Sequence, residues 1–347
     1  MSNINSNNFQ NTETLTFPNN IDFPNKFVLN KKNLFSEKQN YNQFKEEQSI
    51  NYKLVYFLTI LPVGILFTGL FLSNFLFSLT NGSIINKSIF FFTNSFFIGL
   101  ILHNIQNIIH AGIHFNLHID KNVNDNICNL LGLFTATEIN QVRKIHMVHH
   151  IKNGTLDDTE YSYIYPLNFK KILSYFSGLE ILKYLLSIDK KINEDKNVKI
   201  SNVEKLKYIF NSQRFFSLIL HLTIISFLIF YMKNIYLVFA WVYGFIAFLP
   251  FFNSLQNILE HAEEKKFKNI KNYKIKPVNR NFGSGFISKY IFGNFGSNKH
   301  AIHHWEPSVH FLNLEKTEKF LQNTSIRNII IEKKSTYLDT LKKVLFN

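Results

Sequence analysis

The sequence predicts an all-α integral membrane protein with four transmembrane helices arranged as two hairpins. Of its 347 residues, 46% are hydrophobic and only 18% are charged, and the uncharged residues are concentrated in long stretches. A helix needs about 20 apolar residues to cross a bilayer, because no backbone polar group can remain unsatisfied in lipid. Four segments meet this requirement without any Asp, Glu, Lys or Arg: 54–79, 89–109, 215–232 and 235–252.

Lysine and arginine predict the orientation of these helices. The two hairpin turns, 80–88 and 233–234, contain only Lys87 and Lys233 of the 38 lysines and arginines. By the positive-inside rule, the opposite side, with both termini, is predicted to be cytoplasmic. We attribute the net charge of +14 to basic residues that set the orientation of the helices and contact anionic lipid headgroups. Binding to nucleic acid is disfavoured, because no aromatic-and-basic RNA motif is present. The pattern fits a bacterial inner membrane and an endoplasmic reticulum equally.

The sequence divides into three predicted parts. Residues 1–50 are rich in asparagine and lack an apolar run or cleavage site, so we expect a mostly disordered cytoplasmic arm and not a signal peptide. Residues 51–320 form the predicted membrane domain, and residues 321–347 a cytoplasmic tail. The single cysteine, Cys128, excludes a disulfide framework within the chain and a CxxC metal site.

Nine of the 13 histidines fall into four short clusters on the predicted cytoplasmic side. Residues at i and i+4 share one face of a helix, so two imidazoles can point to the same place. Imidazole binds iron, copper and zinc, and a single zinc takes about four ligands, so this set favours a two-metal centre. The clusters are HAGIH (His110, His114), HMVHH (His146, His149, His150), NILEHAEE (His261) and HAIHH (His300, His303, His304).

These motifs resemble the three histidine boxes of the membrane fatty acid desaturase superfamily, which read HxxxH, HxxHH and HxxHH. The spacer FNLHIDKNVNDNICNLLGLF, the second box RKIHMVHHIKNGTLDDTE and the third box HAIHHWEPSVHFLNL are also similar to that family, over about residues 50 to 320. Two places depart from the pattern. Ala111 replaces the acidic residue that often follows the first histidine, and Trp305 and Glu306 replace a usually apolar pair.

The resemblance implies a membrane stem that carries a helical cytosolic cap with two irons. It implies that the nine clustered histidines are metal ligands. Asn257 and His261 match the family's NxxxH spacing after the fourth helix, which makes Asn257 a candidate water-bridged ligand. His118, one turn beyond the first box, and Asp157 and Asp158, after the second, are further candidates for contact with the metal or its ligands. A solvated acidic turn would explain the two aspartates equally well.

The superfamily contains acyl desaturases, lipid hydroxylases, alkane monooxygenases and carotenoid ketolases and hydroxylases. The resemblance therefore implies an O₂-dependent oxidoreductase with two Fe²⁺ ions. A fatty acyl desaturase is the leading hypothesis, and a lipid or carotenoid hydroxylase or ketolase is the alternative. No flavin or haem module and no HPGG element is visible, so we expect a separate electron donor, a ferredoxin or cytochrome b5. A histidine-rich metal transporter is a remote alternative, because the membrane helices contain few polar residues.

Overall fold

The computed structural model describes residues 34, 36, 39–79, 82–155, 157–160, 163, 168–180, 212–262 and 278–346. Its longer helices are α1 (Tyr41–Glu46), α2 (Tyr52–Ser78), α3 (Ile84–Ile113), α4 (Lys121–Gly132), α5 (Ile139–Lys152), α6 (Phe169–Phe176), α7 (Ser212–Phe230), α8 (Ile235–Tyr243), α9 (Leu249–His261), α10 (His300–Trp305), α11 (Leu314–Leu321), α12 (Arg327–Glu332) and α13 (Tyr337–Phe346). A π-helical turn, Gly244–Phe248, joins α8 to α9, and a second one spans Ile287–Phe292. Short 3₁₀ helices span Asn294–Lys299 and Phe311–Asn313, and the two-residue strands β1 (Asn281–Phe282) and β2 (Lys334–Ser335) pair in parallel.

Four stretches of the described residues are long and apolar enough to cross a membrane: α2, α3, α7 and the continuous α8–α9. This confirms the predicted number of transmembrane helices. Two of them extend further than predicted, because α3 continues to Ile113 and α9 to His261. Hydropathy marks the part of a helix in lipid, whereas its hydrogen bonds continue beyond the bilayer. Both extensions carry predicted metal-ligating histidines.

The central element of the membrane region is α3, which packs against α2, α8, α9 and the turn between the last two. Its buried stripe of Ile98, Leu102, Ile105 and Ile109 follows the helical period. On the same helix, Gly99 allows a very close approach. A Cβ atom at Gly99 would lie 2.2 Å from the Phe248 Cβ atom. Small residues are typical of such contacts between membrane helices, where backbones approach closely.

The cap lies at the end of α3 that bears the first histidine box, where α4 packs against α5 and α10 packs against α11. Residues from the predicted tail are part of it, because β2 pairs with β1 and the Tyr337 ring stacks on the Phe282 ring at 3.8 Å. Part of the predicted disordered arm is helical instead. Asn40 caps α1 in a capping box with Gln43, and Tyr41 is buried against the cap. Residues 1–33 lie outside the described residues.

We expect Gly99→Ala to destabilise the protein by about 1–3 kcal/mol, because the added methyl group must displace the backbone at Phe248. Gly64→Ala is the matched control. Gly64 lies inside α2, and no atom would lie within 4 Å of a Cβ added there, so this substitution should leave stability unchanged or raise it by a few tenths of a kcal/mol. Thermal unfolding of both variants in detergent micelles measures the difference. Equal melting temperatures would contradict the packing argument.

Candidate metal centre

The end of α3 is fixed by an arginine from α5. The last carbonyl groups of a helix lack partners within that helix. Arg143 supplies hydrogen-bond donors to two of these carbonyl groups. Its Nε donates to the Ile113 carbonyl (3.0 Å) and its Nη2 to the Gly112 carbonyl (3.2 Å). Its Nη1 also donates to Asp125 Oδ2 at 2.9 Å. Through Asp125 on α4, this side chain joins α3, α4 and α5 directly beside His114.

The clustered histidines form two groups of four. In each group, one potential ligand atom from every side chain lies within 4.8 Å of the others. Tetrahedral and larger coordination shells place nitrogens roughly 2 Å from a metal, so opposed ligands lie about 4 Å apart, close to this spread. The first group is His110, His114, His146 and His303, and the second is His149, His261, His300 and His304.

His150 lies between the two groups. Its Nε2 atom is 3.0 Å from Nε2 of His146 and 3.1 Å from Nε2 of His303, both in the first group. Its ring centroid is 4.3 Å from that of His304 in the second group. The structure therefore brings together all nine histidines of the four sequence clusters.

Carboxylate side chains hold the other ring nitrogen of two of these histidines. The Nδ1 of His149 lies 2.8 Å from Asp158 Oδ1, and the Nδ1 of His146 lies 2.8 Å from Glu160 Oε1. Because an ionised carboxylate only accepts hydrogen bonds, these Nδ1 atoms carry the proton and Nε2 presents a lone pair. The Tyr163 hydroxyl donates to Asp158 and fixes that carboxylate in turn.

The arrangement of nitrogen atoms fits bound cations. Nε2 of His300 lies 2.8 Å from Nε2 of His261 and 3.0 Å from Nε2 of His304. Two lone pairs at this distance repel unless a proton or a metal ion lies between them. Nε2 of His114 and Nε2 of His149 are buried and have no hydrogen-bond partner among the described residues. A transition-metal ion in each group would satisfy these nitrogens.

The protonation states favour the same interpretation. Burial and the neighbouring imidazoles together hold the pKa values of His300, His303 and His304 well below the usual range. These rings are therefore neutral at physiological pH, which is the form that binds metals. His149 differs. Burial alone would lower its pKa, but the hydrogen bond to Asp158 and the nearby carboxylates outweigh burial and raise it. Metal binding at His149 is thus coupled to Asp158.

The other predicted candidates divide into two kinds. Asp158 is 1% exposed and hydrogen-bonded to His149, and Asn257 lines the cavity beside the histidines. The structure does not bring the remaining two to the centre. The ring of His118 stacks on Tyr56 with 6.0 Å between centroids, and its Nδ1 accepts from the Asp120 amide. The Asp157 side chain is 79% exposed.

Two neighbours of the histidines were not predicted from the sequence. Asn279 Oδ1 lies 2.8 Å from Nδ1 of His261, and a Glu260 carboxylate oxygen lies 3.4 Å from Nδ1 of His300. Glu260 directly precedes His261 in the sequence, so its proximity to the histidines could have been predicted. Asn279 follows His261 by 18 residues, and no spacing rule relates the two residues.

A cavity of about 220 Å³ adjoins both groups on the membrane side. Two facing helices supply most of its lining, with polar residues at helical spacing on each. These residues are His103, Gln106, Asn107 and His110 from α3, and Asn253, Gln256, Asn257, Glu260 and His261 from α9. Such polar stripes on membrane-spanning helices are costly, and they mark functional regions more often than structural ones.

We expect Asp158→Asn to raise the dissociation constant for Co²⁺ by about 10- to 100-fold, because the substitution removes the carboxylate that fixes the His149 tautomer. Titration of metal-free protein, followed by Co²⁺ absorption, gives the constant. Asp157→Asn is the matched control, since it makes the same change at an exposed neighbour and should leave affinity unchanged. Equal affinities for the two variants would show that Asp158 does not support the centre.

Comparison with known proteins gives an independent assignment. The family model described as Fatty acid desaturase matches residues 86–327, well over half of the chain and including all nine clustered histidines. A comparison with curated proteins finds no match. The family contains lipid oxidoreductases of the desaturase and hydroxylase type, and with four apolar helices the chain is a multi-pass membrane protein. The chain belongs to the fatty acid desaturase family.

Proposed function

We propose that this protein is a fatty acyl desaturase that introduces a C=C bond into a lipid hydrocarbon chain, using O₂ and a histidine-ligated pair of Fe²⁺ ions. The single observation that supports this most strongly is the pair of four-histidine groups side by side, at the end of the membrane helices. A site for one metal would need only one such group. The position beside the membrane suits a substrate that is itself a lipid.

In this proposal each group holds one iron, His150 lies between the two groups, and Asn257, which lines the adjoining cavity, is the candidate water-bridged ligand. The irons, when bound, supply with O₂ the oxidising power to remove hydrogen from an unactivated CH₂ group, which acid–base side chains cannot do. The chain's own residues have three tasks. They hold the ligand nitrogens in place, keep imidazoles such as His300, His303 and His304 neutral through burial, and exclude bulk water from the reacting carbon.

The charge distribution supports a cytoplasmic cap and an acidic electron donor. Lys87 and Lys233 are the only basic residues in the predicted outer turns, whereas Lys144 and Lys152 beside the second box are exposed on the cap side. A basic surface attracts an acidic protein and raises its association rate. We therefore propose cytoplasmic termini and a separate ferredoxin or cytochrome b5 as the donor.

One observation favours the second candidate function, a lipid or carotenoid hydroxylase or ketolase. The cavity beside the metal groups is lined largely by amide, histidine and carboxylate side chains. A plain alkyl chain offers no hydrogen bonds to such groups, whereas a hydroxyl or keto group does. In a hydroxylase or ketolase, these side chains would form hydrogen bonds with a polar group already present on the substrate.

Lipid analysis of a host that expresses the protein with ferredoxin and cytochrome b5 tests both candidates. We expect an acyl chain that has lost two hydrogens, and the position of the new double bond should be defined by mass spectrometry. Gain of an oxygen atom would instead establish the hydroxylase. A change restricted to supplied carotenoids would show that the substrate is a carotenoid and not an acyl lipid.

Two histidine variants control this experiment. The double variant His149→Ala/His150→Ala removes nitrogens from the centre and should abolish the product. His118→Ala removes a histidine outside both groups and should retain it. Unchanged lipids and carotenoids in the host that expresses the wild-type protein, together with no iron in the purified protein, would refute the proposal.

A further inference from the structure

Helix α1 lies outside the region that matches the family, yet it packs directly behind the third histidine box. The family match begins at residue 86, whereas α1 spans Tyr41–Glu46. The Tyr41 ring meets the Trp305 ring edge-on, with 5.1 Å between centroids and 66° between planes. Each of these side chains is only 2% exposed. Trp305 is the residue that directly follows His304.

The third box depends on such contacts because α10 has only six residues, His300–Trp305. A helix of this length is not stable by itself in water. At its beginning, the amides of Ala301 and Ile302 donate to Asn281 Oδ1, at 3.0 and 3.3 Å. At its end, Trp305 packs against α1. The direction of α10 is therefore set from both ends by residues outside the box.

Aromatic packing joins α1 to a second cap helix as well. The Tyr41 ring lies 5.9 Å from that of Phe320 on α11, and Phe44 stacks on the same Phe320 ring at 4.3 Å. Aromatic pairs at these separations stabilise a contact beyond the apolar area that they bury. Helix α1 thus holds α10 and α11 in a fixed relation.

Polar contacts fix the loop that follows the box. Lys45 Nζ donates to Ser308 Oγ at 2.8 Å and lies 3.5 Å from Glu306 Oε1. The Ser308 hydroxyl donates in turn to Glu306. Trp305 and Glu306 are the two residues of this box that depart from the family's usual apolar pair. Both of these residues contact α1, Trp305 through Tyr41 and Glu306 through Lys45.

We propose that Tyr41 and Lys45 are positioning residues for the metal centre, which act through Trp305 and Glu306 on the orientation of α10. This helix contributes His303 to the first group and His300 and His304 to the second. A rotation of α10 would displace histidines of both groups together and change the spacing of the potential ligand nitrogens. The inference rests on the proposed metal centre, but not on which lipid is oxidised.

Metal titration of Tyr41 variants in the full-length protein tests the aromatic contact. We expect Tyr41→Ala to raise the Co²⁺ dissociation constant about tenfold or more and to alter the ligand-field absorption bands. Tyr41→Phe keeps the ring and removes only a hydroxyl that has no hydrogen-bond partner among the described residues, so it should match the wild type. Asn42→Ala, an exposed change on the same helix, should also match it.

A charge exchange tests the polar contact and does not remove buried volume. Lys45→Glu should weaken Co²⁺ binding by repelling Glu306, and the double variant Lys45→Glu/Glu306→Lys should restore it. This pair decides the question if Tyr41→Ala fails to fold. Wild-type protein that binds no Co²⁺ would refute the proposed metal centre. Wild-type binding with unchanged constants and spectra in folded Tyr41→Ala and in Lys45→Glu would refute only the role of α1.

Discussion

The convergence of imidazole lone pairs is the constraint on which the rest of the structure depends. Nitrogen atoms of different histidines lie as little as 2.8 Å apart, and in neutral rings such contacts repel unless a cation or a shared proton lies between them. Burial disfavours the protonated rings, which would carry like charges in a medium of low dielectric constant. A folded chain must therefore hold many neutral ligands together before any metal binds, and the required rigidity must come from elsewhere in the molecule.

That rigidity is assembled from contacts far apart in the sequence. The close approach at Gly99 brings α3 and the fourth membrane segment together, and His110 and His261 near their ends line the same cavity. Arg143 then ties the end of α3 to the cap helices. Asp158, held by the Tyr163 hydroxyl, orients His149 through its Nδ1 atom. Each contact restricts a movement of a helix or side chain that would otherwise increase the distances between the histidines.

The transmembrane helices and the histidine clusters could be predicted because their signals are local. Apolar runs and the i, i+4 spacing of His110 and His114 depend on a few neighbouring residues. The supporting contacts were not predictable in this way. Asn279 reaches His261 only through the folded chain, and Tyr41 meets Trp305 across more than two hundred residues. Residues 41–46 were expected to be disordered from their composition, but burial of two aromatic rings in the cap outweighs that local preference.

The polar stripes of α3 and α9 pose a separate energetic problem, and their internal hydrogen bonds partly solve it. A buried polar group without a partner costs about 1–3 kcal/mol, and more where only lipid surrounds it. His103 Nδ1 lies 2.7 Å from Asn253 Oδ1, and Asn107 Nδ2 donates to Asn294 Oδ1 at 2.7 Å. These pairs connect the two membrane helices to each other and to the segment before the third box. Asn107 and Asn253 also line the cavity, so part of its wall is already held in position by this network. The lining of the cavity and the connection between the helices that carry the histidine groups thus depend on the same few residues.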